Sequence, residues 1–293
     1  MSLSFSPEER EAAERLLEMA LAEDLGTVGD LTSQALIPID MPGTVNVVAR
    51  ADGILAGSPV ARLVFDRLDS TVTWQAHVDD GARLTRGTVV ASVAGPLRAL
   101  LGGERTALNF LTHLSGVATL TRKFVDAAAG TRAVIRDTRK TLPGWRRLEK
   151  YAVRAGGGTN HRMGLADGCL IKDNHLAAWR SANPNRTIAE AVAEARKHVP
   201  KNIPVEVEVD TLEQLADALS GSPDIVLLDN MEVPALRECV KLRDRLAPGV
   251  SLEASGGIRL ANVAEIAAAG VDRISVGGLT HSAPALDLAF DWP

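Results

Sequence analysis

From residue 130 onward the chain alternates short apolar runs with helical segments. AVIR (133–136), CLI (169–171), VEVEV (205–209), DIVLLD (224–229), SLEAS (251–255) and DRISV (272–276) are the runs. Between them lie PGWRRLEKYAVRAGGG, TIAEAVAEARKHV, TLEQLADAL, VPALRECVKLRDRL and LANVAEIAAAG. Strand–helix alternation at this spacing constrains the chain to a parallel sheet covered by helices. The number of strands suits an open doubly wound sheet or a barrel.

The residues before 130 read differently. Ser6-Pro7-Glu8-Glu9 has the form of a capping box with proline at the first helical position. TVNVVARADGILAG and TVTWQAHV are strand-rich, with Val72, Trp74, Ala76 and Val78 alternating. Asp79-Asp80-Gly81 predicts a turn into GARLTRGTVVASVAG. Leu97 to Ala129 is helical in pattern, with breaks expected at Gly102-Gly103 and Ser115-Gly116.

Composition excludes several classes. The hydrophobic fraction is 46% and the net charge is −5, so a general nucleic-acid binder is not expected. Cys169 and Cys239 are far apart, which fits a reducing compartment. The first residues lack the basic and apolar regions of a secretory signal, and no apolar run approaches the ~18 residues of a spanning helix. A cytoplasmic protein without membrane or nucleic-acid partners is expected.

The ends of the apolar runs carry the chemistry. Asp137, Arg139 and Lys140 follow AVIR; Lys172, Asp173 and Asn174 follow CLI; Glu208 and Asp210 end VEVEVD; Asp229-Asn230 follow VLL. Ser255-Gly256-Gly257 and Gly277-Gly278 end the last two. In an α/β barrel these ends form one face, and that face holds the active site. In VEVEVD the valines and glutamates alternate, so a helix-covered sheet turns Glu206 and Glu208 inward, where they need partners. Arg139, Lys140 and Lys172 are the nearby candidates. The glycines suit backbone contact with a phosphate.

RDTRKTLPGWRRLEK (136–150) gathers positive charge within an acidic chain. Pro143 is expected to start a helix with Trp145, Leu148, Ala152 and Ala155 as its apolar stripe. Arg147, Lys150 and Arg154 then read as a solvated face. Arg139, Lys140, His161, Arg162 and Lys172 read as one anion-binding constellation. His161 and His175 fit no zinc spacing, VDDGARLTRGT reads as a hairpin turn, and no Walker or dinucleotide fingerprint is present.

DTRKTLPGWRRLEKYAVRAGGGTNHRMGL, LIKDNH, VEVEVD, VLLDN, EASGGI and ISVGGLTHSAPALD occur in that order, preceded by GERTALNFLTHLSGVAT. Together they resemble the quinolinate phosphoribosyltransferase family, the carboxylating nicotinate-nucleotide pyrophosphorylases. The resemblance implies an α/β fold. An N-terminal mixed α/β sandwich (1–115) would precede a C-terminal open α/β barrel of parallel strands (116–278). The segment 279–293 would return to the first domain.

It also implies a reaction. Quinolinate and 5-phosphoribosyl diphosphate give nicotinate mononucleotide, diphosphate and CO2 with Mg2+. Arg139, His161, Arg162 and the Arg105 of a homodimer partner would hold the quinolinate carboxylates. Lys140 and Lys172 would contact either substrate. Glu208 and Asp229 would bind ribose and position Mg2+, directly or through water or substrate. Ser255, Gly256, Gly257, Gly277 and Gly278 would cradle the 5′-phosphate. Two alternatives remain at this point: a related phosphoribosyltransferase with a different acceptor, and a non-catalytic protein that binds anions or nucleic acid.

Overall fold

The computed structural model describes residues 3–181 and 183–292. In chain order the elements are α1 (Pro7–Leu25), α2 (Leu31–Leu36), β1 (Pro42–Ala49), β2 (Gly53–Ile54), α3 (Ser58–Leu68), β3 (Thr73–Ala76), β4 (Arg83–Leu84), β5 (Val89–Pro96) and α4 (Leu97–Ala127). β6 (Val134–Arg136), α5 (Arg146–Ala155), β7 (Cys169–Ile171), α6 (Asp173–Ser181), α7 (Ile188–His198), β8 (Val205–Val209) and α8 (Leu212–Ser220) follow. The chain ends with β9 (Ile225–Asp229), α9 (Val233–Leu246), β10 (Ser251–Ser255), α10 (Val263–Ala268), β11 (Arg273–Ser275), α11 (Gly278–His281) and β12 (Leu288–Asp291).

Two compact units emerge: Met1–Arg122 with Lys140–Gly158 and Gly278–Pro293, and Lys123–Arg139 with Thr159–Gly277. The sequence boundaries at 115 and 278 place the last segment with the first unit, as here, but leave residues 116–122 and Lys140–Gly158 in the barrel. Helix α5 and its flanks cluster with the first unit, because α5 packs on α1.

The first unit is built on an antiparallel sheet of order β12-β1-β5-β3. The last strand pairs with the first, Asn46 opposite Asp291 and Ala49 opposite Leu288. Val45 and Val47 of β1 and Val60, Ala61, Val64 and Phe65 of α3 are buried. Helix α1 starts as the sequence specifies: the Glu9 N–H donates to Ser6 Oγ (3.2 Å) and the Ser6 N–H donates to Glu9 Oε2 (2.8 Å).

Three sequence expectations fail in this unit. Helix α4 runs unbroken from Leu97 to Ala127, and its glycines serve close packing instead. A Cβ on Gly103 would lie 2.7 Å from Phe65, and one on Gly116 would lie 2.2 Å from the Pro284 carbonyl oxygen. Helix α5 begins at Arg146, after a turn through Pro143, rather than at Pro143. Its supposed solvated face is not solvated: Lys150 is completely buried and Arg154 pairs with Glu9 at 2.7 Å. The Asp79-Asp80 turn also does more than reverse the chain. Asp80 accepts from the N–H groups of Gly57 (2.7 Å) and Ser58 (3.1 Å) at the start of α3, and from the Tyr151 hydroxyl (2.7 Å).

The second unit is a six-stranded parallel sheet of order β6-β11-β10-β9-β8-β7. Each strand from β7 to β11 lies beside its sequence neighbour, and the last lies beside β6. That cyclic order belongs to a barrel; a doubly wound sheet would reverse direction midway. β6 and β7 end the sheet unpaired with each other, and Thr159 bridges in parallel to Arg136 on the open side. Val205, Val207 and Val209 are buried on the outer, helix-covered face, so their neighbours Glu206 and Glu208 face the interior.

The glycine packing yields a paired prediction. Inside a helix, Gly→Ala normally stabilises by up to about 1 kcal/mol. Gly102 has open space, its nearest neighbour 3.9 Å from an added Cβ, so Gly102→Ala should raise Tm. Gly116→Ala should lower it by about 2 °C or more, because backbone must shift at a cost of about 1–3 kcal/mol. Thermal melts of both variants decide; a higher Tm for Gly116→Ala would show that the helix tolerates a bulkier residue there.

Candidate active site

Parallel register fixes which residues share the barrel interior. Glu208 pairs with Leu227, Ser255 with Asp229, Glu253 with Arg273, and Ser275 with Arg136. Register partners point the same way, so Glu206, Glu208, Asp229, Glu253, Ser255, Arg273, Ser275 and Arg136 line one side. The hydrogen bonds agree. His161 Nε2 reaches Glu206 Oε2 (3.2 Å) on β8 and Glu253 Oε1 (3.4 Å) on β10, across the intervening β9. Arg136 Nη1 on β6 donates to Glu253 Oε2 (2.8 Å) across β11. Only the concave side permits both.

This inner cluster is nearly dry. Glu253 is fully buried and Glu206 is 4% exposed. Glu253 Oε1 also accepts from Ser275 Oγ. Asp137, fully buried at the end of β6, accepts from the His161 N–H (2.9 Å) and from Asn160 Nδ2, which fixes the backbone that carries the imidazole.

Opposing influences act on the His161 proton. Burial disfavours the imidazolium, and the Arg162 N–H, 2.7 Å from Nδ1, is accepted only by a ring bare at that nitrogen. Against them stand two carboxylates, Glu206 and Glu253. Charge balance prevails, and the His161 pKa is raised to about 9. Burial alone would raise the Glu253 carboxyl, but His161 first and then Arg136 hold it well below the usual range.

His161, Glu206 and Glu253 bring potential metal-ligating atoms within 4.8 Å of one another. Arg136 and Ser275 already occupy Glu253, and a metal would have to displace the His161 proton. The cluster therefore reads as a charge-balanced hydrogen-bonded network.

One layer toward the carboxyl ends lies a second pair. Lys172 Nζ, just after β7, donates to Glu208 Oε2 (2.9 Å) on β8. Asp229 ends β9 on the same face as Glu208, one turn of the pleat further along. The two carboxylates supply only oxygen donors, which suits Mg2+.

The Ser255-Gly256-Gly257 loop follows β10. Gly256 (φ 84°) and Gly257 (φ 61°) are both left-handed, the conformation in which successive N–H groups form an anion-binding concavity. A Cβ on Gly256 would come within 2.8 Å of the Asn230 N atom, so glycine is required there twice over. Asn230 is itself left-handed (φ 53°), and its N–H donates to the Ser255 carbonyl (2.8 Å). Gly277 ends this unit and Gly278 opens α11 in the other; neither has a positive φ.

Arg139 and Arg162 lie close enough for their charges to interact. The Arg162 pKa is lowered by burial first and by Arg139 second. Its Nη1 donates to the Gly168 carbonyl (2.8 Å). Lys140 and Arg105 belong to the first unit, both exposed at the surface of this chain. Sequence reasoning offered Arg139, Lys140 and Lys172 as partners for Glu206, named Arg136 and Asp137 without these contacts, and missed Glu253. The alternation in SLEAS that turns Glu253 inward was the available signal.

Comparisons with known proteins find relatives over nearly the whole chain. The model of the quinolinate phosphoribosyl transferase C-terminal domain matches residues 117–291, and that of its N-terminal domain matches residues 30–115. The chain is 47% identical over 285 residues to the nicotinate-nucleotide pyrophosphorylase [carboxylating] of Mycobacterium leprae, covering 97% of this chain and 98% of the relative. It is 43% identical to a probable enzyme of the same name from Bacillus subtilis, covering 94% and 92%. Among solved structures, NadC from Streptococcus pyogenes superposes with a TM-score of 0.90 at 38% identity, covering 99% of this chain and 98% of that one. The nicotinate-nucleotide pyrophosphorylase from Francisella tularensis gives 0.90 at 37%, covering 100% and 99%. With both family domains matched in order and relatives aligned end to end, the chain belongs to the quinolinate phosphoribosyltransferase family, enzymes that make nicotinate mononucleotide for NAD biosynthesis.

Proposed function

We propose that the carboxyl end of this barrel holds quinolinate and 5-phosphoribosyl diphosphate side by side in a homodimeric, cytoplasmic enzyme. The observation that carries the residue roles is the layer formed by Lys172–Glu208, Asp229 and the left-handed Gly256-Gly257 loop, all at strand ends of one sheet. Among the described residues no helix is long and apolar enough to cross a membrane.

In this reading Arg139, Arg162 and His161 face the acceptor's two carboxylates. Burial first and the neighbouring Arg139 second disfavour the charge on Arg162, and a dianion entering beside both guanidinium groups offsets that. Lys140 and Lys172 add point charge for either substrate. Ser255, Gly256, Gly257, Gly277 and Gly278 receive the 5′-phosphate. Glu208 and Asp229 hold the ribose hydroxyls and would hold Mg2+, directly or through water or substrate; when bound, the ion supplies charge that stabilises departing diphosphate.

The chemistry follows from that placement. Positive charge builds at the ribose C1 as diphosphate leaves, and the fixed carboxylates beside it stabilise that charge without reorganising. The acceptor nitrogen forms the new bond. The resulting pyridinium stabilises the electron pair left at C2 when CO2 departs, and that carbon then takes up a proton from solvent. No side chain need act as a strong base, so positioning is the protein's main contribution.

Arg105 would act from the partner subunit. It sits exposed on α4 and makes no ion pair among the described residues. Arg105→Ala and Asp229→Ala should each be nearly inactive. After subunit exchange, half the dimers are mixed and each regains one complete site, so activity should recover to about a quarter of wild type. Demonstrated exchange without recovery above either variant alone would place Arg105 in its own chain's site or in none.

The charged His161 gives a pH test. Its folded pKa is raised, so its stabilising contribution is complete below the ordinary value of about 6.5. That contribution is lost as pH rises through about 9. Melts between pH 6 and 10 should show Tm falling across that window. In Glu253→Gln the fall should be complete about one pH unit or more lower, because one carboxylate partner is gone. Parallel profiles for the two proteins would mean that His161 does not carry the charge.

A further inference from the structure

The amino end of the barrel is not packed like its counterparts. In barrels of this type branched apolar side chains fill the interior in layers. Here a cavity of about 520 Å³ opens at the starts of β7, β8, β9 and β11, on the face opposite Lys172, Asp229 and Gly256. Its wall includes Arg136, Arg162, Lys201, Glu206, Asp224 and Arg273.

Most of these charges are already matched. Arg136 pairs with Glu253 at 2.8 Å. Asp224 pairs with Arg196 (2.7 Å) and accepts the Val205 N–H (2.7 Å). Asp167, also on the wall, accepts the N–H groups of Met163 (2.6 Å) and Gly164 (2.8 Å). Arg162 donates to the Gly168 carbonyl.

What remains is specific. Arg273 is in register with Glu253 and so points inward, yet it makes no ion pair or hydrogen bond among the described residues. Lys201 at the rim likewise makes none. Glu206 Oε1 is buried without a hydrogen-bond partner, on a side chain only 4% exposed. An inward guanidinium without a counter-charge is unfavourable, and so is a buried carboxylate oxygen without a donor. One small molecule can relieve both.

We propose that this cavity, which shares His161 and Arg162 with the acceptor reading above but opens at the amino end of the barrel, is a second ligand site for a small organic anion that also bears a hydroxyl or N–H group. The acid group, carboxylate or phosphate, lies against Arg273 and Lys201. The donor reaches Glu206 Oε1. Since Glu206 holds His161 from the other oxygen, the site adjoins the network that positions the acceptor's cations.

The test uses the intact enzyme. Crystals soaked in selenate should show an anomalous peak beside Arg273 and Lys201, independent of any peak at the Gly256-Gly257 loop. In solution, with quinolinate saturating the catalytic face, tartrate should bind once per chain. Arg273→Ala and Lys201→Ala should each weaken it about tenfold or more, the loss expected for one charge-assisted contact. Both variants should keep wild-type turnover at saturating substrates, which shows them folded and leaves the catalytic reading standing whatever tartrate does. Succinate, without hydroxyls, should bind several-fold more weakly. An empty cavity in the selenate map, tartrate affinity unchanged in both variants, or succinate binding as well as tartrate would overturn the assignment.

Discussion

A carboxylate that faces the inside of a barrel has to be neutralised there, and this structure places Glu206, Glu208 and Glu253 in that position. Their partners come from other strands. His161 ties β8 to β10, Arg136 ties β6 to β10, and Lys172 ties β7 to β8. Removing one member of the buried His161 or Arg136 pairs would leave a stranded charge, which typically costs about 3–5 kcal/mol, whereas Lys172 is 43% exposed and its pair is screened by solvent. The pairs therefore fix the curvature and spacing of the sheet as firmly as its apolar outer face does. They also explain an interior that is charged where most barrels are apolar.

The same network organises the chemistry. Below, His161 is held from both sides, by Asp137 through its backbone and by two glutamates through its ring. Above, Lys172 orients Glu208 beside Asp229. Negative charge is thus balanced within the sheet, while Arg139 and Arg162 remain close together with like charge. In the proposed reading, an acidic acceptor enters beside these two guanidinium groups. The enzyme's electrostatics are preorganised before substrate arrives, so little reorganisation accompanies the reaction.

Much of this was legible in the sequence. The strand–helix rhythm after residue 130 gave the parallel sheet, and the alternation of VEVEV gave the inward glutamates. The capping box at Ser6 was read down to its atoms. Failures share one cause: local patterns do not reveal what packs against them. Gly103 and Gly116 read as helix breaks, yet they make room for Phe65 and the Pro284 carbonyl. Lys150 read as solvated by its helical spacing, yet α5 is enclosed on nearly every side. The sequence reading grouped His161 with the cations. Its carboxylate partners were missed because they sit 45 and 92 residues further along the chain, joined only by barrel register.

The central claim is that these cations are arranged for an acceptor with two carboxylates. Quinolinate has both, and nicotinate lacks the one at the 2-position. Leaving a charged partner unmatched in a closed site costs roughly 1–3 kcal/mol, about 5- to 150-fold in rate. The most direct measurement is kcat/KM for the two acids with 5-phosphoribosyl diphosphate and Mg2+. The expected result is a quinolinate value at least about tenfold higher. Equal values would contradict the account, since one carboxylate would then satisfy the whole constellation.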